Sequence, residues 1–315
     1  MSFLRAGATG FLLALVIGAA HADEAFVPNQ SSGDLTILDL GAMTPAAALP
    51  IGGKPAGVAV SRDGARAYVT SPEGHFVSVI DAAERRVLKR IDVGGQPFGV
   101  AVSPDGRRLY VADMNGRELL EIDPDGEKTR RVEIGAMPSG VAATPDGRLV
   151  IAAARDDNAL VVVDAETFRR VATIAVGRHP YGVTIDAGGR RAYTANVESD
   201  DVSVIDLAER KLIATAPVGG HPYGVALAKG RAFVANQYAE TVSVFDTATF
   251  APLATIKVGE YPESVGASRD GGTIYVTNWF SNDLWSIDAE SYKITGKAPT
   301  GDGPRAFGAF VRPVD

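Results

Sequence analysis

Two identical tetrapeptides, His179-Pro180-Tyr181-Gly182 and His221-Pro222-Tyr223-Gly224, are the features of this sequence best suited to chemistry. Each sets an imidazole, a metal ligand and proton shuttle near neutral pH, two residues from a phenol. A tight transition-metal site takes three or four donors. The sequence offers only Glu263 or Asp113 to complete the pair, so metal ligation by His179 and His221 stays an open reading beside that of plain channel lining. No Gly-x-Ser-x-Gly elbow, His-Glu-x-x-His pair, phosphate-cradling loop or cysteine nucleophile is present, so no catalytic set is visible and the balance leans against an enzyme.

What places these tetrapeptides is a repeat. Prolines at 55, 97, 138, 180, 222, 262 and 304 recur at intervals of 40 to 42 residues, each followed by an apolar run such as Gly57-Val-Ala-Val-Ser61. A second anchor pairs the end of one segment with a later Asp, ten residues on, in every unit: Asn29/Asp39, Ser71/Asp81, Asp113/Asp123, Ala154/Asp164, Asn196/Asp206, Asn236/Asp246 and Asn278/Asp288. The irregular intervals therefore localise: blade 6 is two residues short between Pro222 and Asn236, and blade 3 one residue short between Asp123 and Pro138. Short β-branched and aromatic runs separated by Asp-Gly, Asn-rich or Gly-rich turns make each unit four strands, a to d. They lie too close together for parallel crossovers. Four-stranded units of this length are propeller blades.

The first unit, Ala25 to Ile51, has strands b, c and d but no strand a, and Pro304 to Val311 starts like every other strand a. The expected fold is all-β, a seven-bladed β-propeller with four-stranded antiparallel blades, closed by pairing the C-terminal strand with the N-terminal three. Closure hides both sheet edges.

Tyr275-Val276-Thr277-Asn278 and its relatives, followed by Val-Ser-Val-Ile-Asp and Val-Gly-x-x-Pro-x-Gly, resemble the YVTN-repeat, YncE-like exported propellers. The resemblance implies the propeller fold. It also brings a second functional reading, because related quinoprotein and haem d1 propellers hold a cofactor at the channel mouth. Nucleic-acid binding has been associated with the group as well.

Residues 1–22 read as a secretory signal: Arg5, an apolar core from Phe11 to Ala19, and the small-x-small site Ala20-His21-Ala22. Cleavage after Ala22 would leave one domain, residues 23–315, periplasmic or secreted and with no membrane span. With no cysteine there is no disulfide framework, thiolate metal site or c-type haem attachment. The formal charge is −7, or −8 once Arg5 is removed, which argues against binding a phosphate backbone.

Within the repeat, a residue common to most blades serves the blade, and one that departs from the pattern is free for function. The recurrent Asn are expected to hydrogen-bond turn backbone, and the Asp after strand c to start turns on the opposite face. The residues flanking the prolines vary, which makes Lys54, Gln96, Phe98, His179, Tyr181, His221, Tyr223, Tyr261, Glu263 and Arg305 candidate ligand contacts at the mouth, with Trp279 beside them. Their aromatic rings, with Lys54, Arg155 and Arg305 as cations, suit a planar anionic ligand or a protein partner. The leading expectation is a periplasmic, non-catalytic binding or scaffold protein engaging an envelope protein or small molecule. The alternatives are a redox-associated propeller with a cofactor or metal near His179 and His221, and third a lactonase- or lyase-like enzyme. Cofactor, ligand and oligomeric state are left open by the sequence.

Overall fold

The computed structural model describes residues 23–125 and 129–312 of the chain. The signal segment, residues 1–22, lies outside them. No helix among the described residues is long and apolar enough to cross a membrane.

The architecture is the expected one: seven blades of four antiparallel strands, in chain order except in blade 1, where the C-terminal strand precedes the N-terminal three, and with a short fifth strand added to blade 2. Blade 5 shows the pattern, with strand a at Pro180–Ile185, b at Arg191–Asn196, c at Asp201–Asp206 and d at Lys211–Pro217. Burial falls outward, from a b strand buried at all but its first residue to a largely exposed d strand, as the burial patterns of Arg191–Asn196 and Lys211–Pro217 show. The aromatic position of strand b (Phe26, Tyr68, Tyr110, Tyr193, Phe233) is almost wholly buried. Such side chains, packed at near-crystalline density, supply most of the hydrophobic stabilisation. Polar clasps then join blade to blade: Arg108 Nη1 donates to the Ala165 carbonyl (2.8 Å), Arg191 Nη1 to that of Thr247 (2.8 Å) and Arg231 Nη1 to that of Ala289 (2.6 Å).

Closure occurs where expected but with a broken strand. Pro304 bridges Asn29, and Val311–Arg312 pairs antiparallel with Glu24–Ala25. Between them Phe307–Ala309 leaves blade 1 and runs parallel to strand a of blade 2, Gly57–Val60. A difference in sequence accompanies the break. Five of the other six blades carry Gly two residues after the proline, blade 7 having Ser264 there, and a Cβ on those Gly would lie 1.9 Å (Gly99) to 3.1 Å (Gly224) from a neighbouring carbonyl. Blade 1 has Ala306 at that position, and its close approach is made by Gly308, φ 125°, whose missing Cβ would stand 2.4 Å from the Val58 carbonyl. The inward step is displaced two residues, and the strand splits.

The deletion in blade 6 shortens the a–b turn to Lys229-Gly230, both in the left-handed region (φ 48° and 73°), as a two-residue hairpin of the I′ kind requires. The deletion in blade 3 accompanies a five-residue strand d, Thr129–Glu133; residues 126–128 of that interval are outside the described set.

The recurrent Asp behave as read: Asp39, Asp81, Asp123, Asp164, Asp206, Asp246 and Asp288 each accept backbone N–H groups of the c–d turn. The recurrent Asn do not. Asn196 Nδ2 donates to Asp201 Oδ1 (2.5 Å) and Ser203 Oγ (2.9 Å), and Asn29, Asn236 and Asn278 likewise bond strand-c side chains rather than turn backbone. In the Asn-bearing blades a Gly fits against this amide, a Cβ on Gly177 falling 2.5 Å from Asn196 Nδ2 and one on Gly301 2.6 Å from Asn29 Nδ2. The amide is held by the side chains across the ladder because Ser or Thr and Asp stand opposite it there.

Asp63, Asp105, Asp146 and Asp270 hold the a–b turns, each accepting from the Ser or Thr two residues earlier and from backbone N–H, which lowers their pKa. A carboxyl with a lower pKa folded than unfolded adds stability above its unfolded value, near 4, and loses it as pH falls through the folded value. Urea unfolding should therefore give a free energy that declines below about pH 4. A value unchanged down to about pH 2 would contradict this role.

Candidate functional site

Strand a enters each blade at the repeat proline, so the residue after it points toward the axis. Ala56, Phe98, Tyr181 and Phe307 are buried together with Val197, and Met114 and Tyr223 pack on them. Ring centroids of Phe98 and Tyr181 are 5.7 Å apart, Phe98 and Phe307 5.2 Å, Tyr181 and Phe307 4.9 Å, and Tyr181 and Tyr223 4.5 Å. Phe98 belongs to blade 3 and Tyr181 to blade 5, and Phe307 lies on strand a of blade 2. Contacts between non-neighbouring blades form only across the axis, so these side chains plug the channel at the end where the d–a and b–c turns open.

One ion pair is built into the plug. Arg305 Nε stands 3.0 Å from Glu263 Oε2, with only 18% and 6% of the two side chains exposed. Gln237 Nε2 donates to Glu263 Oε1 (2.8 Å), and Arg305 donates to Gln30 Oε1 (3.0 Å) and the Tyr181 hydroxyl (3.3 Å). The Arg305 guanidinium also lies over the rings of Phe98 and Trp279, at 5.3 and 5.2 Å. Its Nε is not aligned for a hydrogen bond, so the contact with Glu263 is chiefly one of charge. Burial pushes the Glu263 carboxyl above the usual range, with Arg305 and Gln237 opposing it. Burial works against the guanidinium charge too, but Glu263 and the phenols Tyr181 and Tyr223 outweigh it and hold Arg305 protonated.

Above the plug a second set of side chains comes from the residue after the recurrent Asn position, including Gln30, Met114, Val197, Gln237 and Trp279. Beyond it the outer face carries a run of rings. His221 stacks on Tyr238 at 3.8 Å and 18°, Tyr238 lies 5.5 Å from Tyr261, and Tyr261 lies 4.7 Å from Phe280. Tyr238 is 59% exposed and Phe280 61%. Burial first, then the neighbouring Tyr238, pushes the Tyr261 phenol up to about 12. The turns that bear this ladder, 218–221, 236–241, 258–261 and 278–283, contain Glu240, Glu260 and Asp283 and no Lys or Arg, and Lys257 stands 3.5 Å from Glu240 at their edge.

The residues singled out by sequence thus divide. Phe98, Tyr181, Tyr223, Glu263 and Arg305, with Trp279 against them, form the plug rather than an open rim. His179, His221 and Tyr261 lie outside it, and so does Lys54. The two phenols of the paired tetrapeptides meet, while the two imidazoles take different partners: His179 Nδ1 is 3.0 Å from Glu198 Oε1, and His221 stacks on Tyr238. Gln96 is tied down through its backbone N–H, which donates to Asp113 Oδ1 (2.9 Å). The cations imagined as anion contacts are each neutralised locally, Lys54 by Glu73 (3.0 Å), Arg155 by Asp156 (3.6 Å) and Arg305 by Glu263. Among the described residues no group of three or more His, Asp or Glu converges as a metal-ligand set. Tyr238 and Phe280 were missed, although both break the repeat: the same position is Ser31, Glu73, Asn115, Asp156 and Glu198 in other blades.

The family model of the YNCE-like beta-propeller matches residues 5–108. Among solved structures, hydrazine synthase of Kuenenia stuttgartiensis is similar over 80% of this chain and 88% of its own, with 20% identity and a TM-score of 0.72. A functionally unknown protein from Desulfotomaculum acetoxidans DSM 771 is similar over 92% of this chain and 98% of its own, with 14% identity and a TM-score of 0.79. At those identities the likeness is one of fold. No curated protein matches the chain significantly.

Proposed function

We propose that this chain, a YncE-like seven-bladed β-propeller, is an exported, non-catalytic binding module that holds a basic segment of a protein partner on its plugged face. The observation that carries the reading is the ladder of His221, Tyr238, Tyr261 and Phe280, open to solvent at Tyr238 and Phe280, on turns whose charged residues, Glu240, Glu260 and Asp283, are acidic. Exposed rings with carboxylates around them favour Lys and Arg side chains, which gain cation–π contact and Coulomb attraction together. Like charge on the same turns disfavours a nucleic-acid backbone. The plug beneath is packed and ion-paired, so the rings stand on a base that does not reorganise on binding, which lowers the cost of association.

Chemistry at this face finds little support. The phenols Tyr181, Tyr223 and Tyr261 are all held above their ordinary pKa, chiefly by burial, and Glu263 faces a permanent cation. The redox reading needs the two imidazoles to serve one group, and they face separate acids and rings.

Affinity capture of envelope proteins with the mature chain tests the proposal. Partners retained should be basic or carry basic segments and should be released as salt rises. Tyr238→Ser/Phe280→Ser should weaken capture by at least about thirtyfold, since a central interface aromatic is worth roughly 2 kcal/mol or more. Retention that ignores both the double variant and salt would sink the proposal.

A further inference from the structure

Beneath the plug the channel widens into a cavity of about 980 Å3 that opens on the opposite face, among the a–b turns. Its wall is made by the strands a, with Ala101, Val102, Ala142, Ala143, Val183 and Ile185 among the lining residues. Several of these apolar side chains, Val102, Ala142, Val183 and Ile185, are left partly open to it. The cavity is closed at its far end by the aromatic plug, so it is a blind apolar funnel of the size that takes small organic ligands.

Its mouth is uneven, and the unevenness is local to blades 5 and 6. The charged residues lining the cavity are Arg190, Arg191, Lys229 and Arg231 against Asp186 and Asp206. The two-residue deletion is the reason for the imbalance in blade 6. Other blades keep an Asp in the a–b turn, such as Asp63, Asp105, Asp146, Asp186 and Asp270, whereas blade 6 has only Lys229-Gly230 before Arg231. The shorter hairpin lowers the wall and removes its carboxylate. Arg191 and Arg231 each use one guanidinium nitrogen on a neighbouring blade, Lys229 approaches Glu290 at 3.4 Å, and the Arg190 side chain makes no hydrogen bond or ion pair among the described residues.

We infer that this funnel is a second binding site, independent of the plugged face, for an organic carboxylate with an apolar body. The body occupies the Val- and Ala-lined lumen, and the carboxylate meets Arg190 and Lys229 at the notch in blade 6. Apolar contact with a single charged anchor at the rim is the usual division of labour in such pockets, and a guanidinium suits a carboxylate by its paired donors.

Calorimetric titration of the mature chain with decanoate tests this, with decylamine and acetate as controls. Decanoate should bind, and both controls should bind at least roughly tenfold more weakly. Arg190→Glu/Lys229→Glu, confined to turn residues, should weaken decanoate by roughly tenfold or more while leaving the melting temperature in place. Ala142→Phe should abolish binding by filling the lumen. Tyr238→Ser/Phe280→Ser should leave decanoate binding unchanged, which separates this site from the other face. Absence of binding at millimolar decanoate, equal binding of decylamine, or indifference to the charge-reversed pair would each overturn the inference.

Discussion

Arg305→Met should lower the unfolding free energy by roughly 3–5 kcal/mol, the range for removing one partner of a buried ion pair. The substitution leaves Glu263 buried, with Gln237 as its remaining donor. Its carboxyl, already raised by burial, then loses the opposing cation and rises further. A carboxyl whose folded pKa exceeds its unfolded one costs stability as pH rises past the unfolded value. The variant should accordingly be most stable in mild acid and lose ground toward neutrality. Adding Glu263→Leu removes the stranded charge, and the double variant should return to within about 1–2 kcal/mol of the parent, because apolar replacements of buried pairs are often neutral. Equal losses in the single and double variants, with no pH dependence, would show that Arg305 acts by packing alone.

A chain ending at Gly303 should fail to unfold as one cooperative unit. The removed segment contributes Phe310, 1% exposed in the core of blade 1, and Phe307 in the plug. It also supplies backbone bonds from Phe26 N–H to the Phe310 carbonyl (2.9 Å) and from Arg305 N–H to that of Pro28 (2.8 Å). Arg312 Nη1 donates to Glu24 Oε2 (2.6 Å). Each buried Phe is worth about 3–5 kcal/mol, and a domain has only about 5–15 in all. Loss of closure also bares the edge of Glu24–Asn29, an invitation to aggregation. Calorimetry should show a broad or absent transition. A truncated chain melting sharply within a few degrees of the full one would mean that the seam does not hold the ring.

The blades could be read from the sequence because each repeats one solution to one packing problem. Proline at the start of strand a and Asp after strand c fall in register seven times, with Asn at the paired position in four blades, and the two parts of blade 1 are found at opposite ends of the chain. The break in the closing strand was less accessible. It depends on whether a carbonyl of the next blade stands where a Cβ would go, and only the presence of Ala306 and Gly308 hinted at it. The site was half legible. Variation around the prolines did mark Tyr181, Glu263 and Arg305, but it could not say that they face the axis and meet across it, since repeat spacing carries no radial coordinate. Tyr238 and Phe280 were readable in principle, as aromatic residues at a position that is polar elsewhere. The blade 6 deletion was located correctly, yet its effect on the channel wall needed the turn and cavity together.

The most direct test of the binding face is site-specific photocrosslinking in the source cells, with a benzophenone amino acid placed at Tyr238 and, as control, at Leu253 on the outer strand of the same blade. The ladder predicts a discrete adduct from position 238 with a partner rich in Lys or Arg, and none from position 253. The same yield from both positions, or adducts from 253 only, would contradict it.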